Sequence, residues 1–512
     1  MSSILRGYRP DTEPQTVRTN ARQVQNDAGG YVYAVEDRER LERFLILGVE
    51  GGTYYVGKQA HLQRNVDFLG KALASDPKGF IDTVVAVSSE GRAPKNSPAI
   101  FAIAFALANA GDEYKAYARA AVAQVCRTST HLFELAEYIE NLGGWGRSKR
   151  SAVASWYTDK TPDELAFQAV KYRQRNGWTH RDMLRLSHPA LGNEYKSVAD
   201  FILGKDSDTI APKAIEGFRK VQAAKSGKEA VGIVAEYRLP WETVPTEYLN
   251  DADLWRSMFE QGFLGHTALL RNLNRMDKLG LFNDLVFEST VAKFLTDPVQ
   301  VKKGRLHPIA YLNALNNSGV TGTVRQGLID GFYVAFGNVV PSNARTMIGL
   351  DVSGSMGWED VIGLKGMNCR EAAAAMATVT ARTEPYVFIG AFTTNFVKVN
   401  VNKDADLDQM TRAISNLRFG GTDASQPIQY ALANNIAIDH FIIYTDNDTY
   451  GSRHVDSVLR EYRRKTGIDA KLTVVGLSAT DFTIGDPEDT GTLNVCGFDT
   501  TAPAVIAEFA RV

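Results

Sequence analysis

The sequence predicts two domains of different class, an α-helical repeat domain over residues 1–342 and an α/β domain over residues 343–512. Three observations predict this. From Glu36 to Asn338 the apolar pattern is helical and strand alternation is nearly absent. After Val339-Val-Pro-Ser-Asn-Ala-Arg345, short apolar runs alternate with amphipathic segments, the pattern of a mostly parallel sheet. The first of those runs ends in the oxygen-rich stretch Asp351-Val-Ser-Gly-Ser355, where open α/β sheets bind ligands.

A chain of 512 residues exceeds what one core usually serves, and 44% hydrophobic with 23% charged residues is ordinary for a soluble protein. A formal net charge of −2 predicts no general affinity for polyanions, but the charge is unevenly placed. Residues 343–512 hold 15 Lys and Arg against 21 Asp and Glu, leaving 42 against 38 in residues 1–342. A mildly basic first part and an acidic second part point to different partners. Cys126, Cys369 and Cys496 are widely spaced and form no CxxC, which supports neither a zinc cluster nor a disulfide framework and fits a reduced, cytoplasmic setting. The start, MSSILRGYRPDTEPQ, has no apolar signal core, and the longest apolar region, near Ile100 to Ala110, is too short to span a bilayer.

Residues 1–30 read as a polar extended arm. Asp37-Arg-Glu-Arg-Leu-Glu-Arg-Phe-Leu-Ile-Leu47 opens with an acid-rich turn and becomes apolar on one side, as a helix start does. Pro98-Ala-Ile-Phe-Ala-Ile-Ala-Phe-Ala-Leu-Ala-Asn-Ala-Gly111 has Pro at its start, strong helix formers and Gly at its end. Similar helices, separated by Gly, Asn or Pro, continue beyond Gln300. About 300 residues of consecutive helices suggest a solenoid of helix pairs rather than one bundle. No clean period is visible, so repeats are inferred from helix density. In the second part the predicted strands are Thr346–Asp351, Tyr386–Phe392, Phe396–Val401, His440–Thr445 and Lys471–Leu477. The predicted helices are Cys369–Arg382, Leu407–Leu417, Ala424–Asn434, Val455–Thr466 and Ala502–Arg511.

At the end of the first of these strands, Ser353 and Ser355 follow Asp351 at alternate positions, and Gly354 and Gly357 permit a tight exit. One carboxylate and two hydroxyls aimed at one spot form a hard oxygen site for Mg²⁺ or Mn²⁺. Thr422, in Phe419-Gly-Gly-Thr-Asp423, and Asp446, ending His440-Phe-Ile-Ile-Tyr-Thr-Asp446, supply further donors. The order D-x-S-x-S, Thr, Asp resembles the metal-ion-dependent adhesion site of von Willebrand factor A domains. The plainer alternative is that Asp351 and the serines only cap a turn and the following helix.

The densest basic stretch is Lys171-Tyr-Arg-Gln-Arg-Asn-Gly-Trp-Thr-His-Arg-Asp-Met-Leu-Arg-Leu-Ser-His188. Lys171 and Arg175 are four apart, one face if that segment is helical. Asn176-Gly177 breaks the helix and Thr179 can cap a new one, with Met183, Leu184 and Leu186 inward and Arg181, Arg185 and His188 toward solvent. Upstream, Trp145-Gly-Arg-Ser-Lys-Arg150 adds Arg147, Lys149 and Arg150. Guanidinium forks bind phosphates, and aromatic rings stack on unpaired bases. On composition alone, a solvated helix face over a core Trp178, with His188 packed or capping, accounts for the tract equally well.

The sequence closely resembles the Ro autoantigen family, in which a TROVE module precedes a von Willebrand factor A domain. The matching stretches run in order along nearly the whole chain: Asn26–Tyr33, Arg43–Tyr55, Gly91–Lys95, Val125–Phe133, Trp145–Ser148, Lys171–His188, Pro240–Pro245, Ala268–Leu273, Leu350–Met356 and Cys496–Thr500. The resemblance implies a ring of HEAT-like helical repeats closed by the A domain. It implies Y RNA binding on the outer basic surface and capture of single-stranded 3′ ends of misfolded or damaged RNA in the central hole. It further implies a role in noncoding RNA quality control and decay beside a 3′-to-5′ exoribonuclease. Residue by residue it carries Y RNA contacts onto Lys171, Arg175 and His188, and the metal site onto Asp351, Ser353, Ser355, Thr422 and Asp446. One departure is Pro189 after Ser187-His188, which predicts an early end to that helix.

The expected function is therefore that of a non-enzymatic RNA-binding scaffold whose acidic domain holds Mg²⁺, with a coordination position open to an acidic protein ligand. The rival from another class is a metal-dependent protein-binding scaffold, solenoid plus adhesion domain, without RNA. An acid-metal phosphatase is disfavoured because Ser353 stands where a D-x-D would need its second acid, and no nucleophile–base pair or phosphate loop stands out.

Overall fold

The computed structural model describes residues 12–48, 58–337, 339–358, 361, 367–400, 407–415, 417 and 420–511. Among them the helices of the first domain form where the end signals predict. Asp76 caps Pro77–Glu90, Thr128 caps Ser129–Asn141, and Thr161 with Glu164 forms a capping box on Pro162–Lys171. Ser97–Asn109 is apolar nearly all round and is buried nearly all round. Each helix packs on the one after next: Pro77–Glu90 on Asp112–Val125, Ser97–Asn109 on Ser129–Asn141, and Asp112–Val125 on Arg147–Thr158. That is the layering of stacked helix pairs.

The helical domain holds two cores. The first runs from Leu41 to Ile215 and takes in Ala479 and Cys496 of the α/β domain. The second starts at Val221, reaches Phe336, and continues into the α/β domain through Leu350, Met376 and Ile506. The first and last parts of the solenoid meet at a seam. Gly91, left-handed at φ +71, lies so close to Arg305 that a Cβ added to it would sit 3.3 Å from the Arg305 Cβ. The α/β domain latches that seam. Arg92 pairs with Asp499 at 2.5 Å and Glu42 at 3.0 Å, and His307 Nε2 lies 2.6 Å from the Phe498 carbonyl. The repeats thus close into a ring.

The strands are β1 (Gln23–Gln25), β2 (Tyr31–Ala34), β3 (Gln174–Arg175), β4 (Trp178–Thr179), β5 (Thr346–Asp351), β6 (Val387–Phe392), β7 (Phe396–Lys398), β8 (His440–Thr445), β9 (Lys471–Gly476), β10 (Phe482–Thr483) and β11 (Thr492–Cys496). The main sheet has the order β11-β9-β8-β5-β6-β7, parallel except for the β6–β7 edge. Strands β5 and β8 are buried along their whole length, as a sheet with helices on both faces requires.

Several expectations change. The N-terminal arm is polar, but it is not a free arm. Strands β1 and β2 form a hairpin, and β2 pairs with β10 of the α/β domain. Gln15 donates to Thr449 Oγ1 (2.6 Å) and accepts from the Gly451 amide (2.6 Å), while Asn26 donates to the carbonyls of Asn447 and Thr449. Strand β11 has no counterpart among the predicted strands, because Thr492-Leu-Asn-Val-Cys496 has a half-buried edge position and only two aliphatic residues. Strand β7 ends at Lys398, and Val401 lies outside the described residues, as do Asn338, Phe419 and residues 1–11. The helix expected from Ala424 starts at Gln426, with Pro427 in its first turn. No described helix is long and apolar enough to cross a membrane.

Candidate nucleic-acid interface and metal centre

Strands β5 and β8 are parallel neighbours, so Asp351 at the end of one and Asp446 just past the other emerge together at the carboxyl edge of the sheet. Asp351 accepts from the Ser353 amide (2.9 Å) and from Thr445 Oγ1 (2.7 Å). The hydroxyls of Ser353 and Ser355 are 3.1 Å apart. The Thr422 carbonyl accepts from the Tyr450 amide (3.1 Å), which ties its loop to the one after β8. Asp351, Ser353, Thr422 and Asp446 are buried and Ser355 is half-buried.

Burial pushes the Asp351 carboxyl up to about 6. Burial, and then the charge of Asp351, push Asp446 up to about 7. Two buried carboxylates, with the hydroxyls of Ser353, Ser355 and Thr445 beside them and the nearby Arg370 charge offsetting theirs only in part, form an all-oxygen donor set. That fits Mg²⁺ or Mn²⁺. Two flanking residues escaped the sequence reading. Arg370, first-turn residue of the helix Cys369–Thr383, donates to the Ser353 carbonyl at 3.2 Å. Asp448 is buried, and neither of its carboxylate oxygens has a hydrogen bond of ordinary geometry among the described residues. The doublet Asp446-Asn-Asp448 was the available signal.

The basic tract is built differently from the expectation. The helix Pro162–Lys171 stops at Lys171, whose ammonium lies over the Phe167 and Tyr172 rings and 4.0 Å from Glu242. Arg175 belongs to the two-residue hairpin β3–β4, turned by Asn176 (φ +51) and Gly177 (φ +81). Lys171 and Arg175 therefore share no helical face. Thr179 and Asp182 form the capping box of His180–Ser187, with Met183 buried, Leu184 and Leu186 half-buried, and Arg181, Arg185 and His188 exposed, as expected. Arg181 donates to the Leu203 carbonyl at 3.1 Å. His188 ends that helix in the left-handed region (φ +47), directly before Pro189. Trp178 is half-buried against Trp145, with ring centres 6.0 Å apart.

Lys149 is corrected. Its side chain is buried and its ammonium donates to the carbonyls of Leu142 (2.6 Å) and Gly144 (3.0 Å), so it ties down the preceding helix end and is not presented to a ligand. Arg147 and Arg150 on the same helix are exposed.

Arg175 faces a feature the sequence did not reveal. A cavity of about 910 Å³ lies inside the ring at the seam. Lys95, Arg127 and Arg175 line it from the first half of the ring, and Arg271 and Arg305 from the second. Among the described lining residues Glu134 is the only acid, and none is Phe, Tyr or Trp. Burial, and then the charge of Arg305, make Arg127 hold its proton less tightly than usual. Burial and Arg127 push the nearby His131 down to about 4, leaving it neutral at pH 7. These cations are scattered along the chain, and only ring closure assembles them.

Comparison with known proteins follows the same division. A family model described as the TROVE domain matches residues 24–229 and 236–327, and one described as the Ro60 vWA domain matches residues 345–510. The RNA-binding protein RO60 of Deinococcus radiodurans is 39% identical over 534 residues, spanning 100% of this chain and 99% of its own. The RNA-binding protein RO60 of Caenorhabditis elegans is 31% identical over 581 residues, spanning 95% and 90%. The crystal structure of the Deinococcus radiodurans RO (RSR) protein matches with a TM-score of 0.68 at 37% identity, covering 93% of this chain and 99% of that one.

Proposed function

The chain belongs to the Ro60 family of TROVE-domain proteins, and on that premise we propose that it is a non-enzymatic RNA-binding protein of noncoding RNA quality control. The observation that carries this reading is the cavity. Five Lys and Arg side chains from both halves of the ring converge there against one acid. Such a space attracts a polyanion, and the lack of Phe, Tyr and Trp among its described lining residues favours a grip on phosphates over stacking on bases. A single-stranded 3′ end of a misfolded or damaged RNA fits that chemistry. Structured Y RNA occupies the outer basic surface, through Lys171, Arg181, Arg185 and His188, with Arg147 and Arg150 nearby. A 3′-to-5′ exoribonuclease receives the captured RNA, in the cytoplasm.

In the α/β domain, Asp351 and Asp446 supply the charge, and Ser353, Ser355 and Thr422 the neutral oxygens, that would hold Mg²⁺. When bound, the ion would supply a hard Lewis-acid site suited to a carboxylate of an acidic protein partner. Arg370 positions the Ser353 loop through its carbonyl.

The test is retention of a single-stranded oligoribonucleotide and of a hairpin RNA on the full chain, wild type against Arg271→Gln with Arg305→Gln. The expected result is a loss of single-strand affinity of tenfold or more, with hairpin affinity largely kept. Protein that carries no RNA on purification and binds neither probe would support the rival, a metal-dependent protein scaffold.

A further inference from the structure

Within the cavity, Arg127 is set apart by how its guanidinium is held and Arg305 by its backbone. Arg127 donates from Nη1 to Ser88 Oγ (2.8 Å) and to the Gln124 carbonyl (3.2 Å), and Ser88 in turn donates to Asn96 Oδ1 (2.6 Å). Asn96 is itself fixed by donating to the Val125 carbonyl (2.8 Å). This relay anchors one corner of the guanidinium and leaves Nε and Nη2, the edge that grips an oxyanion with two parallel bonds, without a partner among the described residues.

Arg305 lines the same cavity from the other half of the ring. It follows the helix Pro298–Gly304 in the left-handed region at φ +47, a position where Gly or Asn is the ordinary choice. A strained arginine at the mouth of a cavity invites a functional explanation. Gly91 packs against its Cβ and fixes where the side chain departs. Among the described residues Arg305 has no ion-pair partner. Burial first, and then the charge of Arg305, weaken the hold of Arg127 on its own proton, and among the described residues no ion pair links either guanidinium to a carboxylate.

We propose that Arg127 and Arg305 form a subsite for a phosphomonoester dianion, the terminal phosphate of an RNA strand. An internal phosphodiester carries one charge and a terminal phosphate close to two near neutral pH, so the terminal group better matches an uncompensated guanidinium pair. The proposal rests on the cavity being an RNA site. It adds that the cavity distinguishes the chemistry of the strand's end. The same dianion chemistry exists in free orthophosphate, and the experiment separates the sources.

Three single strands of one sequence would be titrated into the full-length protein by fluorescence anisotropy: one 3′-phosphorylated, one 5′-phosphorylated, one with hydroxyl at both ends. The wild type is expected to bind at least one phosphorylated strand roughly tenfold tighter than the hydroxyl strand, and the end preferred assigns the polarity. Arg127→Lys keeps the charge and loses the two-pronged edge, and Arg305→Gly relieves the left-handed strain, so neither should compromise folding. In both, the ratio of affinities should collapse toward one, while the hydroxyl strand weakens less. Millimolar orthophosphate should remove the same advantage in the wild type.

Equal wild-type affinity for all three strands overturns the subsite and leaves the cavity as an RNA site. Failure of every strand to bind overturns the cavity reading as well. A parallel loss for all strands in the variants, or orthophosphate binding as tightly as the phosphorylated strand, overturns the subsite in favour of diffuse electrostatics or a free-phosphate site.

Discussion

Gly91 and Arg305 touch across the seam of the ring, backbone against side-chain root, although more than half of the helical domain separates them in sequence. Gly91→Ala must adopt φ +71 with a side chain and place its methyl 3.3 Å from the Arg305 Cβ. The expected cost is about 1 to 2 kcal/mol, read as a lower urea midpoint with an unchanged slope.

Arg92 and Asp499 latch the same seam with both side chains largely buried. Asp499→Asn leaves a buried guanidinium with Glu42 as its remaining acid. The stability loss should be about 3 kcal/mol, and single-strand binding should weaken with it because the cavity spans the seam. A variant with wild-type melting temperature would show that the latch contributes nothing to closure.

The proposed metal site predicts a thermal shift. Saturating Mg²⁺ should raise the melting temperature of the wild type, since an ion that binds only the folded state stabilises it. Asp351→Ala should abolish the shift and the calorimetric signal of Mg²⁺ binding while leaving helical content intact. An unchanged Mg²⁺ affinity in that variant would disprove the assignment.

The split of the basic tract predicts a split in phenotype. Lys171→Ala should weaken hairpin RNA, and Arg175→Ala, on the hairpin facing the cavity, should weaken a single strand. Removing one cation that neutralises a phosphate should flatten the salt dependence by about 0.7 to 0.9. Filter binding of both RNAs with each variant across a salt series measures this. Equal effects of Lys171→Ala on the two RNAs would contradict the division between outer surface and cavity.

Acid sensitivity follows from buried histidines. Burial pushes His131, His180, His266 and His307 down to about 4 and His440 to about 3, from an ordinary value of 6.5. The unfolded chain takes up these protons first as pH falls. Stability is therefore full above about pH 6.5 and declines toward pH 4, with a slope of up to about 1.4 kcal/mol per pH unit for each histidine. Urea titrations at pH 7, 6 and 5 should show it, and His180→Gln should reduce the slope.

The sequence was legible where one local rule decided the outcome. The β5 strand ending at Asp351 and the Thr179 cap each follow from neighbours in the chain. The loop positions of Thr422 and Asp446 were legible too, because apolar runs and glycines mark strand ends. What escaped depends on tertiary closure. Lys149 reads as a surface cation until its ammonium is found on the Leu142 and Gly144 carbonyls. Arg175 reads as helical until Asn176-Gly177 turns the chain into a hairpin. Arg271 and Arg305 carry no local sign of facing Arg127, because only the closed ring makes them neighbours.

The pairing of the N-terminal hairpin with β10 has a consequence for synthesis. Gln15 leaves the ribosome early, yet its partner Thr449 lies 434 residues later. At ordinary translation speed the opening segment waits roughly 20 to 90 seconds for its binding surface to exist. Throughout that interval the β2 edge that later pairs with β10 has no native partner, and an unpaired strand edge is an open template for pairing with other chains.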